Sequence, residues 1–327
     1  MLELPATREA HAELLAEHAF LDDVEQGPGP AGRVPADPLR IVCWNAQRGC
    51  NPEAAARLLS EQRGDVFLLS ELDRGMARTS QLDTPREIAR RLDCGHVFGV
   101  EFLELGLGDE QERAHHAGEQ NEIGYHGGAI LTARPVERPA LVRLERSGAW
   151  FDGARGERRV GGRIAVLATV VFGRSRLTVA SVHLDSHGTP EERAAQLQVL
   201  LDAIDAHAPG APAVVGGDLN SFSLSYTQIR DRDVLRAALK EDPDRLTNPV
   251  RYEPLFDVAA AAGYDWRSCN ELAEGTQRHA SGRGALKIDW FLGRGVETRA
   301  PCVIPALDDE ETPLSDHELI AIEVDLG

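Results

Sequence analysis

Carboxylates, amides and imidazoles recur at the ends of short apolar runs: Asn45 and Gln47 after RIVCW, Glu71 after DVFLLS, His183 after LTVASV, Asp218 and Asn220 after AVVGG. Strand ends in α/β folds open onto surfaces where a rigid backbone presents side chains to a ligand. One such residue alone is more often a cap or turn former. Together they form the toolkit of phosphoryl transfer to water, which needs a hard oxygen ligand for a cation, a base and donors for developing charge. Glu71 suits Mg²⁺, which keeps several waters and takes only one or two protein carboxylates, and Asn45 is a candidate to complete that shell. The cation would polarise a phosphoryl oxygen and neutralise charge. Asp218, in GGDLNS, is the candidate base, and the two glycines before it would let backbone approach a ligand closely. Asn220, two residues on, would point to the same side if strand geometry persists, there to orient the water or donate to the transition state.

The segment LSDHEL places Asp316 and His317 before a final apolar run. An imidazole near a phosphoryl oxygen can donate a hydrogen bond or a charge, and a carboxylate fixes its tautomer and raises its pKa. Asp289 of KIDWFLG is the candidate partner of His317. Arg78, in a loop just past Glu71, is either a bidentate phosphate clamp or a surface arginine. Arg193 and Gln196 sit at i and i+3 on the helix after SVHLDSHGTPEE, to anchor that helix or touch substrate. Trp266, Arg267, Thr276, Gln277 and Arg278 precede KIDWF, where specificity would reside, although core packing accounts equally for Trp266. His115 and His116 lie in the polar stretch GDEQERAHHAGEQNE and are expected in a solvated loop rather than a second metal site.

These residues need elements to hold them. From Arg40, short apolar runs alternate with helical patterns (RIVCWNAQ, PEAAARLLSEQ, DVFLLSEL, PREIARRL, HVFGVEFLEL), an α/β signature. GGAILTAR, ALVRLE, RIAVLATVVFG and SRLTVASVHL then follow without intervening helices and are expected as an antiparallel meander. The second half repeats the theme with a long helix in EERAAQLQVLLDAIDAHA, a buried strand AVVGGDL, a helix near LFDVAAAAG and the strands KIDWFLGRG and ELIAIEVDL. Two sheets packed face to face with helices outside are expected. Ahead of them, residues 7–24 carry Leu14, Leu15, His18, Ala19 and Leu21 at helical spacing with Thr7 as N-cap. The proline and glycine of GPGPAGRVPADP mark a linker. The expected organisation is an N-terminal amphipathic helix within 1–26, a linker over 27–38 and one large domain over 39–327.

The chain has 327 residues and a formal net charge of −18. That field repels a phosphate backbone unless basic residues gather on one face, which disfavours duplex nucleic acid as a partner. Carboxylates held for a metal temper the argument, since the ion neutralises them. Cys43, Cys50, Cys94, Cys269 and Cys302 are odd in number and lack CxxC spacing, so buried reduced thiols are expected rather than disulfides or a zinc cluster. The chain begins Met-Leu-Glu-Leu-Pro, with no basic region followed by an apolar run, and no stretch approaches about 18 apolar residues. A cytoplasmic location is the expectation, with no transmembrane segment.

WNAQRG, LLSELD, SVHLDSH, GGDLNS, KIDWFLG and SDHEL, in that order, resemble the motif series of the endonuclease/exonuclease/phosphatase superfamily over roughly residues 40–326. The resemblance implies a DNase I-like fold of the α/β (α+β) class. This is a four-layer αββα sandwich of two mixed, mainly antiparallel sheets, with the site at one edge of both. It implies that Glu71 is the principal metal ligand, with Asn45 beside it and Asp316 near the metal. Asp218 would activate water, Asn220 orient it, His183 and His317 contact the scissile phosphate, and Asp289 pair with His317. Tyr125, ahead of GGAILTAR, falls on a strand that leads into the site from a substrate-facing loop, and joins Gln47 and Arg78 as a candidate for substrate binding. Gln47 and His183 stand where apurinic-site endonucleases carry aspartate and tyrosine, and match deoxyribonucleases instead, which weakens an abasic-site repair role. The implied activity is hydrolysis of a phosphoester with Mg²⁺ or Mn²⁺, Ca²⁺ ranking below both, by direct attack of water. A small-molecule or lipid-headgroup substrate is the first reading. A nuclease is the second, with little aromatic or basic support, and a noncatalytic binding module the third.

Overall fold

The computed structural model describes residues 5, 7–18, 21–29, 38–146, 150, 157–279 and 282–326. In chain order the elements are α1 (Arg8–Glu17), β1 (Val24–Gly27), β2 (Leu39–Arg48), α2 (Pro52–Glu61), β3 (Val66–Arg74), α3 (Thr84–Arg91), β4 (Gly95–Glu104) and α4 (Glu110–His115). There follow β5 (Tyr125–Thr132), β6 (Val136–Arg143), β7 (Arg159–Gly161), β8 (Ile164–Phe172), β9 (Ser175–His183), α5 (Pro190–His207), β10 (Ala213–Asp218), α6 (Tyr226–Arg230) and α7 (Arg232–Glu241). The last are α8 (Leu255–Ala261), β11 (Gln277–His279), β12 (Gly282–Leu286), β13 (Asp289–Arg294), β14 (Glu297–Ile304) and β15 (Leu319–Asp325). The principal helices start where side chains satisfy the first free N–H groups. Asn51 and Asp83 accept from Ala54 and Arg86, Thr189 and Glu192 close a capping box, and each helix has proline in its first two positions.

The strands are continuous apolar runs because both of their faces are covered. Ile41, Cys43, Leu68 and Ile130 meet Val166, Ala168, Val179, Val214 and Phe291 in a core between the two sheets. The alternate residues Val42, Trp44, Phe67 and Leu69 turn the other way, onto Leu58 and Leu59 of α2 and Ile88 of α3. In the second sheet Leu167, Ala180, Val182, Val215 and Leu292 pack on Leu197, Leu200 and Leu201 of α5 and Phe256 of α8. Three slabs of apolar contact therefore separate four layers, helix, sheet, sheet and helix, as expected.

The first sheet runs β1-β4-β5-β3-β2-β15-β14, with β7 also on β4, and the second runs β13-β10-β9-β8-β6. Each holds one parallel pair among antiparallel neighbours: β2 with β3, joined through α2, and β9 with β10, joined through α5. A parallel pair needs such a crossover, and the carboxyl ends of its strands are left open for a ligand. Both pairs end at the same edge of the sandwich.

Three expectations change. The N-terminal helix stops at Glu17, and Val24–Gly27 adds an antiparallel strand to the edge of β4, so part of the expected helix and linker is sheet. Residues 30–37 of that linker lie outside the described residues. Helix α1 buries His11 and Leu15, and Gly161 donates its N–H to His11 Nε2 at 3.1 Å. GGAILT pairs with β3 and β4 in the first sheet, so the meander of the second sheet is β6, β8 and β9 alone. The chain changes sheets between Thr132 and Val136, at Pro135.

Candidate active site

The carboxyl ends of the parallel pairs, with the starts of β13 and β15, surround a cleft of about 530 Å³. Its lining includes Gln47, Glu71, His183, Asp218, Asn220, Asp316 and His317. The second sheet supplies a row, because Asp218 is in register with His183 on one side and Asp289 on the other. The first sheet supplies Asn45, Glu71 and the turn before β15. Here the backbone is irregular. Registers slip between Asn45 and Arg48 and between Leu69 and Leu72, and Gln47, Arg48 and Glu71 have φ of 43°, 75° and 54°. Left-handed non-glycine residues at a bulge are costly and re-aim side chains. Glu71 is thus turned into the cleft by a bulge within β3, which continues to Arg74.

The contacts join the two sheets. Asn45 Nδ2 donates to Glu71 Oε1 and to Asp218 Oδ2, each at 3.1 Å. Its Oδ1 accepts from Gln47 N–H, so Asn45 meets Glu71 through its donor. His183 Nε2 lies 3.6 Å from Asp218 Oδ2 and 3.9 Å from Glu71 Oε1. His317 Nδ1 pairs with Asp289 Oδ2 at 2.9 Å, and its Nε2 lies 3.7 Å from Asp218 Oδ2. Trp44 Nε1 donates to the His317 carbonyl and Ser315 Oγ to that of Asn45, which fixes the turn on β2. Gln47 Oε1 accepts from Asp316 N–H, and Gln277 Nε2 sits 3.2 Å from Asp316 Oδ2 and 3.3 Å from His317 Nε2.

Asn220 does not continue the strand. Its φ is 47°, and it is held by its N–H on Asp218 Oδ1 and its Nδ2 on the Leu184 carbonyl. The glycines before Asp218 serve the protein's own packing rather than a ligand: a Cβ on Gly216 would press on Phe291 and Leu68, and one on Gly217 on the Val182 carbonyl. Arg78 is neither a clamp nor a surface residue. Its side chain is 2% exposed and grips Asp73 through Nε and Nη2 at 2.7 and 2.9 Å. Tyr125 opens β5 opposite Leu103 and Arg74, packs on the core and is not among the residues lining the cleft. Arg193 and Gln196 are buried anchors. Arg193 pairs with Glu253 and bonds the Gly188 and Leu224 carbonyls, and Gln196 accepts from Asp185 N–H. Trp266 packs with Phe256 and Trp290, while Thr276 Oγ1 accepts from the N–H groups of Ile288 and Asp289. His115 ends α4 and His116 caps it, both outside the lining.

Five charged residues lie outside the sequence candidates. Arg48, Asp109, Glu112 and Arg163 line the cleft, and Glu101 of β4 stands behind it on His183. Glu101 pairs with Arg163 Nη1 at 2.5 Å and lies 3.4 Å from His183 Nδ1, while Arg163 Nη1 lies 2.9 Å from that same nitrogen. A glutamate inside the apolar run HVFGVEFL was the available signal.

The electrostatics follow from burial and these neighbours. Burial raises Glu71, but Arg48, His183 and His126 outweigh it, and the carboxyl falls to about 2. Burial and the Asp289 charge push Asp218 above the ordinary carboxylate range, against the pull of His317 and His183. Burial pulls His317 down, yet Asp289 and Asp218 more than offset it, so the imidazolium is strongly favoured. Asp316 is raised by burial and by the charge of Glu71. Glu71 and Asp316, close enough that the charge of the first raises the second, make a set of hard oxygen donors that fits a divalent cation. Asp218, Asp289 and His317 also bring ligand-type atoms within 4.8 Å of one another. The Asp289–His317 hydrogen bond accounts for that closeness.

The family model for the endonuclease/exonuclease/phosphatase family matches residues 42–317, and the chain belongs to that family. The family points to phosphoester hydrolysis and generally uses a divalent metal. Solved structures agree on the fold. An endonuclease/exonuclease/phosphatase from Beutenbergia cavernae superposes with a TM-score of 0.61 at 21% identity, covering 88% of this chain and 72% of that one. A family protein from Leptotrichia buccalis gives 0.56 at 12% identity over 88% and 99% of the two chains. A mannosyl-6-phosphatase from Bacteroides thetaiotaomicron gives 0.52 at 11% over 88% and 99%. The search of curated proteins finds no match.

Proposed function

We propose that this chain is a divalent-metal-dependent hydrolase that attacks a phosphoester at phosphorus with an activated water. The observation that carries the reading is Asp218, a carboxylate that burial and Asp289 hold above its ordinary range, 3.6 Å from His183 and 3.7 Å from His317. A base poised in that way can take a proton from water beside a phosphoryl group. Asn220, anchored on Leu184, orients the water. His317, kept protonated by Asp289, donates to a phosphoryl oxygen, and His183, backed by Glu101 and Arg163, donates to another. Glu71, with Asp316 and Asn45 beside it, would hold Mg²⁺ or Mn²⁺, which supplies a Lewis acid for the developing charge. Glu71 is ionised throughout the neutral range, as that role requires.

The substrate proposed is a small-molecule or lipid-headgroup phosphoester. Among the described residues lining the cleft the arginines are Arg48 and Arg163, and both are paired with carboxylates. Among the described residues the lining therefore offers a polyanion no unpaired arginine, and the net charge of −18 repels one. The test is a panel of sugar and inositol phosphates, phospholipids, nucleotides and oligonucleotides with Mg²⁺, Mn²⁺ and Ca²⁺. Activity is expected on the small substrates, to vanish with EDTA, and to fall about 10²- to 10⁴-fold in Asp218→Ala. Faster cleavage of oligonucleotides would refute the substrate class, and activity after thorough metal removal would refute the mechanism.

A further inference from the structure

Arg48 is the middle of three successive left-handed residues, Gln47, Arg48 and Gly49, at the edge of the cleft, with its guanidinium 3.9 Å from Glu71 Oε2. Strain of this kind persists where surrounding structure enforces it. Two carboxylates hold the far side of the fork: Glu112 Oε1 accepts from Nε at 3.2 Å and Glu157 Oε1 from Nη2 at 2.9 Å. Glu112 cannot swing away freely, because its Oε2 accepts from Arg78 Nη1 at 3.2 Å and from Asp109 N–H at 2.7 Å. The side chains of Arg48, Glu112 and Glu157 are between 12% and 20% exposed, so solvent ions screen these pairs weakly.

We propose that Glu112 and Glu157 sequester Arg48 and so confine the cleft to substrates that present one phosphoryl group. The inference rests on the phosphoryl-cleft reading above. A second phosphate on a substrate gains affinity from a free guanidinium fork. Arg163 is tied to Glu101, and Arg48 is the other arginine of the lining. With its fork occupied, a second anionic group meets Glu112 and Asp109 rather than a cation.

The test is calorimetric binding of AMP and of adenosine 3′,5′-bisphosphate to the full chain with Mg²⁺, in an Asp218→Asn background that stops turnover. Glu112→Gln/Glu157→Gln frees Arg48 while keeping side-chain volume, and the ratio of the two affinities should move about tenfold toward the bisphosphate, the size of one charge-assisted contact. Adding Arg48→Met should abolish that gain. Glu112→Gln alone, a change at a partly exposed side chain, should give a smaller shift of the same sign. An unchanged ratio in both glutamine variants, or a gain that survives Arg48→Met, overturns the inference. AMP binding with an unchanged ratio refutes the inference alone, whereas no binding of either nucleotide to any form refutes the phosphoryl-cleft reading and the inference with it.

Discussion

Replacing Asp289 by asparagine tests the charge on His317. In the wild type Nδ1 and Asp289 Oδ2 are 2.9 Å apart, both side chains are 5% exposed or less, and Asp289 Oδ1 finds no hydrogen-bond partner among the described residues. A neutral amide of the same size can still accept from Nδ1 but no longer pays the cost of charging the ring. An opposite charge at this distance moves a pKa by about 1 to 3 units, or about 1.4 to 4 kcal/mol in favour of the imidazolium. His317 should therefore titrate lower in Asp289→Asn than in the wild type. The assay is NMR titration of ¹⁵N-histidine-labelled protein, with His317→Gln to assign the resonance, alongside the pH dependence of kcat/KM. The alkaline limb of activity should move down in step with the ring. Stability gives an independent check. A group raised in the folded state stabilises fully below its unfolded value, about 6.5 for histidine, and the contribution is lost as pH rises through the folded value. The stability gap between wild type and variant should thus be widest below about pH 6.5 and close toward alkaline pH. An unshifted His317 resonance, or a gap that widens with pH, would refute the reasoning.

Three other outcomes follow from the structure. Glu71→Gln should weaken Mg²⁺ binding at least about tenfold by calorimetry, as loss of a principal hard oxygen ligand requires, and affinity equal to wild type would place the cation elsewhere. Because Glu71 lies near 2 when folded, its contribution to stability should be present above the unfolded value of about 4.3 and lost as pH falls toward 2. Arg193→Met should cost about 3 to 5 kcal/mol in urea denaturation, since it strands Glu253 in the interior. A loss below 1 kcal/mol would mean that the pair is not a structural anchor.

What the sequence made legible was whatever repeats locally. Continuous apolar runs bounded by caps located β2, β3, β9, β10 and their crossover helices, and the polar residues at their ends led to Asn45, Glu71, His183 and Asp218. Partners distant along the chain were harder. Glu101 and Arg163 are 62 residues apart, and neither has a local pattern that names the other. Arg78 looked exposed because it follows a turn, whereas Asp73, five residues earlier, draws it inside. Val24–Gly27 is a strand only because β4 offers it an edge, which no periodicity over four residues can convey. Asn220 lines the cleft, but a left-handed turn and not an extended strand carries it there.

Three of the contacts that order the cleft run from one sheet to the other: Asn45 to Asp218, Glu101 to Arg163, His317 to Asp289. Neither sheet holds a working half of the chemistry. The apolar slab between them, where Leu68 closes on Gly216, therefore acts as the ruler that sets distances across the cleft. A methyl group added or removed there propagates as a shift in spacing at the rim, because close-packed interiors transmit strain. Turnover would then be a finer gauge of sandwich closure than any spectroscopic measure of secondary structure, and a chain with both sheets formed but not yet clasped would be folded in outline and chemically silent.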